Sequence, residues 1–486
     1  MSRNTQVAVL CMSAVSLGTL VAGCGSGTAK PPTTAVAWSQ MAAPVASTIL
    51  GGPVTLTQIG QGNPSVTGTP PILDGSGTPA GANVNWNYCT GSAITQNNGT
   101  VSMAPYYQPW VVAQGNTLQG FFDYRVKDTN EAIVAANSTD GGKSWVWQGT
   151  AFNLTQACPA DATKTFGTDD GYGHPYTMSV GGVSRLYLLD RSTTPVAAID
   201  NLGLVYFPLA GGSNPLAGMS PVSAKATSVN GDYQPFVPNR TMGLINPDGF
   251  VAVIPGTNPQ MVLYSSKLLK GDNTGATALP AAMQCPSSPY APIGSPAGTK
   301  AKSANHDITN IRLASTTDGI NFTDLGLTSG LNDPTAIAWS ATRYIAPGGS
   351  AIKLANGRYG LFFAGGNCLD GDSDGFHYIG YAESPDLKRW TVINDINSPI
   401  ASVKTQTFTD SNNTSVTIPG KPPVIGEALP WFAARIYGPQ AIVMADGNLS
   451  LTFSGYGGQS PNYNLLNYRQ IGNVRLSSQN PLPTQP

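Results

Sequence analysis

The chain has 486 residues, only 10% of them charged, and a formal net charge of -1. That balance supplies neither the basic field that holds a phosphate backbone nor a strongly anionic face, so it excludes nucleic acid as a partner. The 56 glycines and 39 prolines separate short Val, Ile, Tyr and Phe segments with almost no helical periodicity, the pattern of many strands joined by turns.

The first element reads as a targeting segment. MSRNTQVAVLCMSAVSLGTLVAGC joins a basic start at Arg3 to an apolar run from Val7 to Ala22 and a small-residue ending, the make-up of a secretory signal and short for a membrane span. Val21-Ala22-Gly23-Cys24 resembles the bacterial lipobox. The resemblance implies a signal peptide over 1–23, lipid on Cys24, and an exported chain held on the bilayer of the cell envelope by more than one acyl chain. Residues 24–85, rich in Gly, Pro, Thr and Ser, read as an irregular, flexible tether. Residues 86–480 read as one β unit, at roughly 400 residues larger than a single core normally grows.

With Cys11 in the signal and Cys24 lipidated, Cys89, Cys158, Cys285 and Cys368 remain. An even count in an exported chain suggests two disulfides, with three pairings open. One of them is Cys285 with Cys368 and Cys89 with Cys158. No Cys/His spacing suggests zinc.

The β unit repeats. AANSTDGGKSW (135–145), LASTTDGINF (313–322) and YAESPDLKRW (381–390) each end an apolar strand with a Ser/Thr-x-Asp turn followed by an aromatic residue. GGSAIKLANGRYGLFFAGG from Gly348 and GPQAIVMADGNLSLTFSGYGG from Gly438 each read strand, Asn/Asp-Gly turn, aromatic-rich strand, a strong hairpin signal. Together they define a four-stranded propeller blade. Five are expected, near 105–155, 170–225, 236–328 (with an insertion near 266–305), 343–395 and 432–477. Blade five lacks an evident fourth strand, and residues 86–103 are expected to supply it. The fold class is therefore all-β, a five-bladed β-propeller behind an N-terminal signal and tether.

Ser138-x-Asp140-x-Gly142-x-Ser144-Trp145 matches the Asp box of sialidases and related propellers at each defined position. Its chemistry is local: Asp140 can accept backbone N–H groups of its own turn, Gly142 permits positive φ, and Trp145 can tuck between sheets. A structural role is expected for Asp140. In those families the box joins strands three and four on the face away from the active site, which assigns the opposite face to function.

On that opposite rim fall most of the scarce Glu and His residues. Glu131 opens a third strand, Glu427 precedes a first strand, His174 begins one, and His306 and His377 begin third strands; Glu383 lies beside a lower turn and is set aside. Arg240, Arg343 and Arg435 are expected at equivalent positions before first strands, where guanidinium groups could hold a carboxylate or sulfate. Glycoside hydrolysis needs two carboxyl groups across the scissile bond. Glu427, in the apolar stretch VIGEALPWF, is the acid expected to be raised by desolvation. Asp169 and Asp170, in a glycine-bracketed loop, are the facing base or nucleophile. Trp431 and Tyr437 join Arg240, Arg343, Arg435, His174, Glu131 and His377 as candidate substrate contacts. Asp370, Asp372 and Asp374 in DGDSDG have the opening spacing of a calcium loop, although Tyr381 at the twelfth position rules out an EF-hand. No cofactor is required by this reading, calcium is the candidate metal, and a monomer with a carbohydrate ligand is expected.

The segments YAESPDLKRW and YGPQAIVMADGNLSLTFSG resemble the five-bladed arabinanase, xylosidase and invertase clans. That resemblance implies a base Asp opening blade one, a modulating Asp opening blade two and an acid Glu opening blade three. Here blade one opens with Tyr107-Gln108-Pro109-Trp110, blade three is expected to open with Pro238-Asn239-Arg240, and only Asp169 or Asp170 stands in the implied place. On the sialidase side, the three arginines resemble an arginine triad. Both resemblances imply a carbohydrate-active propeller, either a glycoside hydrolase on extracellular or envelope glycans or a lipoprotein capturing a sugar or an anion at its centre.

Overall fold

The computed structural model describes residues 35–50, 85–87, 92–94, 104–126, 130–151, 172–190, 203–219, 227–229, 232–234, 241–267, 309–332, 345–365, 376–395, 397–409, 415–418, 420, 422–433, 435–456, 469–483 and 485. Among the described residues there is no α-helix, and no helix is long and apolar enough to cross a membrane.

Five antiparallel sheets follow one another. Blade one comprises Ala104–Gln114, Thr117–Val126, Asn130–Ser138 and Ser144–Ala151; blade two comprises Tyr172–Val180, Val183–Asp190 and Gly203–Pro208. Blade three comprises Pro247–Ile254, Gln260–Lys267, Thr309–Thr316 and Phe322–Leu327. In blade four a split inner strand, Ile345–Pro347 and Ile352–Lys353, precedes Tyr359–Gly365, Tyr378–Ser384 and Thr391–Asn394. Blade five comprises Arg435–Val443, Leu449–Tyr456 and Arg469–Ser478. Inner strands of successive blades lie side by side, blade five against blade one included, so the sheets close into a five-bladed propeller.

The hairpin signals act as their chemistry dictates. Gly357 (φ 78°) and Gly447 (φ 73°) supply the left-handed residue of the Asn-Gly and Asp-Gly turns, and the flanking strands pair as Ile352 with Gly360 and Val443 with Leu449. Central strands such as Tyr378–Ser384 are buried at every residue, because each sheet is covered by a blade on either side. Apolar clusters fill those interfaces, one across blades one to three, one between three and four, and one between four and five.

The ring is closed differently from the expectation. Trp38–Gln40, not residues 86–103, forms the outer strand of blade five, pairing antiparallel with residues 476–478. Asn85–Asn87 and Ser92–Ile94 instead pair with each other. The stretch read as irregular tether thus contains a strap. The Val36 N–H donates to Glu383 Oε1 of blade four at 2.7 Å, and Trp38 lies against Phe362 and Tyr381. Val45–Ala46 pairs with blade five, the Ser47 hydroxyl donates to the Gly142 carbonyl of blade one, and Thr48–Leu50 runs parallel to residues 144–146. The Trp38–Gln40 edge strand carries no turn signal, and its register is chosen by a partner some 440 residues away. Glu383, set aside as a rim residue, is buried in an ion pair with Arg358 (3.1 Å) and anchors this strap.

Blade three also opens later than expected. Its inner strand begins at Pro247, and Thr241–Met242 hydrogen-bonds instead to Leu204 and Ile320. Arg435 is the first residue of its inner strand, whereas Arg240 lies outside the described residues.

Candidate functional site at the propeller hub

Three aspartate turns define one end of the propeller. Asp140 accepts the backbone N–H groups of Lys143 (3.0 Å) and Ser144 (2.9 Å) and the hydroxyls of Ser144 and Ser138. Asp318 accepts from the Ile320 and Asn321 N–H groups, both at 2.8 Å, and Asp386 from those of Lys388 (3.0 Å) and Arg389 (2.8 Å). Gly142 has φ 98°, and Trp145 is buried with its indole N–H on the Gly142 carbonyl. Asn321, through side chain and backbone, holds the Asp318 carboxyl well below the usual range. For Asp140, desolvation is the largest single influence and pushes upward, but the hydrogen bonds from Ser144, Ser138 and Lys143 outweigh it and lower the carboxyl. These carboxylates are satisfied within their own turns.

At the other end of the strands lies the hub. The inner strands of blades one, two, three and five are interrupted by bulges at Gln108-Pro109, His174-Pro175, Asp248-Gly249-Phe250 and Gly438-Pro439, and that of blade four breaks at Gly348-Gly349. Each interruption holds a residue of positive φ: Gln108 (47°), His174 (55°), Gly249 (82°), Gly349 (30°) and Gly438 (62°). A bulge re-aims side chains, and those of Gln108 and His174, at the bulges of two adjacent blades, meet each other.

A closed circuit of contacts joins all five blades there. Gln108 Nε2 and His174 Nε2 are 2.8 Å apart, and the Gln108 N–H donates to Ser454 Oγ of blade five at 2.8 Å. The His174 N–H donates to Asp123 Oδ2 at 3.0 Å, and its ring meets Phe250 edge-on at 4.4 Å between centroids. Phe250 reaches Phe376 of blade four at 5.6 Å, and the Ile436 N–H of blade five donates to the Phe376 carbonyl at 3.0 Å. Gly438 returns to Gln108 and Pro109. A Cβ at Gly249 would stand 2.8 Å from both Cβ and Cγ of His174, so glycine is needed for this approach.

Asp123, Asp248, His174, His377 and Arg435 are all buried around this circuit. Asp248, His377 and Arg435 are the chain neighbours of Gly249, Phe376 and Ile436 in the circuit, so each blade contributes one buried polar side chain of a kind that recognises polar ligands. Among the described residues no three His, Cys, Asp or Glu side chains are grouped to hold a metal.

The expected site residues divide into four sets. His174, His377 and Arg435 stand at the hub. Glu131 opens the third strand of blade one opposite Arg125, and Tyr437 lies in the inner strand of blade five opposite Ser454. Two others are elsewhere. Glu427 is exposed, next to Gly426, which faces the Gln40 side chain on the outer edge of blade five, so the apolar burial that singled Glu427 out is not realised. VIGEALPWF does contain buried residues, but Ile425, Ala428, Trp431 and Phe432 take the interior and leave the carboxylate outside. Trp431 is a wedge against Phe453 (4.9 Å) and the glycine faces of Gly455 and Gly472, in the core between blades four and five. Asp169, Asp170, Arg240, Arg343, His306, Asp370, Asp372, Asp374, Cys24 and the other cysteines lie outside the described residues.

Sequence reasoning missed Asp123, Asp248 and Gln108. Asp248 was legible as an acidic residue in NPDGF, once the strand start is moved from Arg240 to Pro247. Asp123 sits in the middle of an apolar second strand, where only register brings it to His174.

No family model matches the chain, and no curated protein matches it. Solved structures do match. A glycosyl hydrolase from Bacteroides ovatus aligns with 92% of this chain and 99% of its own at 10% identity, TM-score 0.39. The GH43_1 enzyme from Xanthomonas citri, complexed with xylose, aligns with 78% of this chain and 89% of its own at 12% identity, TM-score 0.40. An N-acetylgalactosamine deacetylase from F. plautii, in complex with blood group B trisaccharide, aligns with 77% of this chain and 90% of its own at 10% identity, TM-score 0.41.

Proposed function

We propose that this chain is a carbohydrate-active propeller that takes a glycan at its hub and hydrolyses a glycosidic bond there. The observation that carries the reading is the buried convergence of Asp123, Asp248, His174, His377 and Arg435 around a contact circuit closed through all five blades. Glycoside hydrolysis needs one protonated and one ionised carboxyl group across the bond. Asp248, at the mouth of blade three, is our candidate for one of them. Asp169 and Asp170, just ahead of His174 in sequence, and Asp123 are candidates for the other. Glu427 takes no part in this scheme, because its carboxylate is exposed beside the outer edge of blade five.

The test is a panel of aryl glycosides and polysaccharides. Hydrolysis that drops at least about 100-fold in Asp248→Asn, with thermal unfolding unchanged, supports the proposal. A second reading, capture of a sugar without turnover, is favoured by the carboxamide of Gln108 at the opening of blade one, where the clan resemblance implies a base carboxylate. Saturable binding with no turnover would select it, and neither binding nor turnover would sink both.

We further propose that the three aspartate turns are Asp boxes, a reading supported by their shared bonding pattern, and that Cys24 is lipidated. Only eleven residues then separate Cys24 from Val36, whose N–H is fixed to Glu383, so the propeller would sit within about 40 Å of the bilayer. Cys24→Ala should release the protein to the soluble fraction and abolish palmitate labelling. Retention on the membrane in that variant would count against the anchor.

A further inference from the structure

Five inner-strand interruptions share a positive φ but not one residue type. Glycine occupies the left-handed position in blades three, four and five, as it should, since it carries no steric cost there. In blades one and two the position holds Gln108 and His174, and each precedes a proline, which further restricts the preceding backbone. Among the described residues the other two non-glycine residues with positive φ have ordinary accounts. Leu387 fills the core between blades three and four, and Asn246 is of a type that tolerates this region. Gln108 fills no apolar core, yet the fold retains it at a position where glycine would relax the backbone.

The two side chains are 8% and 6% exposed, and they touch each other at 2.8 Å. Among the described residues the far end of the Gln108 amide, Oε1, is buried without a hydrogen-bond partner. Turning the amide over does not remove this mismatch. If His174 Nε2 accepts, the spare end is a carbonyl; if it donates, the spare end is an NH2 group. An unmatched buried polar group is costly unless something fills it.

We infer that Gln108 and His174 are the ligand-reading pair of the hub, and that the group they read is a neutral hydroxyl-bearing one, such as a sugar ring. The inference rests on the proposed carbohydrate reading and names the contact behind it. A hydroxyl donates and accepts at once, so it satisfies either orientation of the amide, whereas a sulfate or carboxylate satisfies only the donor form and would meet Asp123 beside His174. The strain at both positions is then the cost of presenting two side chains to the ligand.

The experiment uses the full-length protein, affinity electrophoresis through neutral polysaccharides, and inorganic sulfate as the anionic probe. Gln108→Gly should unfold at the same or a higher temperature than the wild type while its apparent affinity for the retained polysaccharide falls about tenfold. Gln108→Asn, which tolerates the same backbone but is one methylene shorter, should show the same loss should the glycine variant prove unstable. Unchanged affinity in both variants overturns the inference, as does sulfate displacing the polysaccharide or binding in its place. If Asp248→Asn loses binding or turnover while the Gln108 variants do not, the inference falls and the proposed function stands; if the wild type neither binds nor hydrolyses any probe, both fall.

Discussion

The two ends of the propeller place polar side chains in contrasting ways. On the aspartate-turn end, Asp140 is bonded to residues three and four positions away and Asp318 to residues two and three away. At the hub, the bonds of Gln108 and His174 join residues 51, 66 and 346 positions apart. The first kind of network forms as soon as its turn forms, and needs nothing from the rest of the chain. The second exists only after five blades have met. An end satisfied locally can serve as scaffold, while an end whose polar groups answer to distant partners can be left with capacity for a ligand.

Substitutions at the two ends should therefore separate stability from binding. The largest effect is expected for Gly249→Ala. A methyl there is strained at φ 82° and collides with His174, so unfolding should show a loss of about 3 kcal/mol together with loss of hub binding. Asp140→Ala should cost about 1–2 kcal/mol, because several hydrogen bonds of one turn are lost, and it should leave polysaccharide binding untouched. A matching loss of binding would break the division between the ends. The smallest effect is acid sensitivity. The carboxyls of Asp140, Asp318, Asp386 and Asp446 are all lowered from the ordinary value of 3.8. Groups of this kind contribute stability that is complete above that value and is lost as pH falls toward their depressed folded values, since the unfolded chain takes up protons first. Melting temperature should be level above about pH 5 and fall below about pH 4. Asp318→Asn should flatten that acid limb, and an unaltered limb would remove the turns from the account.

Legibility in the sequence followed the same division. The turns at Asp140, Asp318 and Asp386, the Asn356-Gly357 and Asp446-Gly447 hairpins, and all five blades could be read because each rests on contacts within a short window. His174, His377 and Arg435 were reached by counting strands from those turns, since antiparallel alternation puts the starts of first and third strands at one end. The same counting opened blade three at Pro238-Asn239-Arg240, whereas its inner strand begins at Pro247. Glu427 was misjudged because apolar neighbours in sequence do not reveal which of them face inward.

Residue pattern alone determined the all-β class, the repeat, the number of blades and the polarity of the ring, because strand alternation and turn chemistry are properties of adjacent residues. Only the tertiary structure decided which strand closes blade five, that Glu383 anchors the N-terminal strap, and that Gln108, His174, Asp123 and Asp248 meet at one hub. Those outcomes depend on register between segments far apart in the chain, where a shift of one residue reverses every side chain and no local preference forbids it.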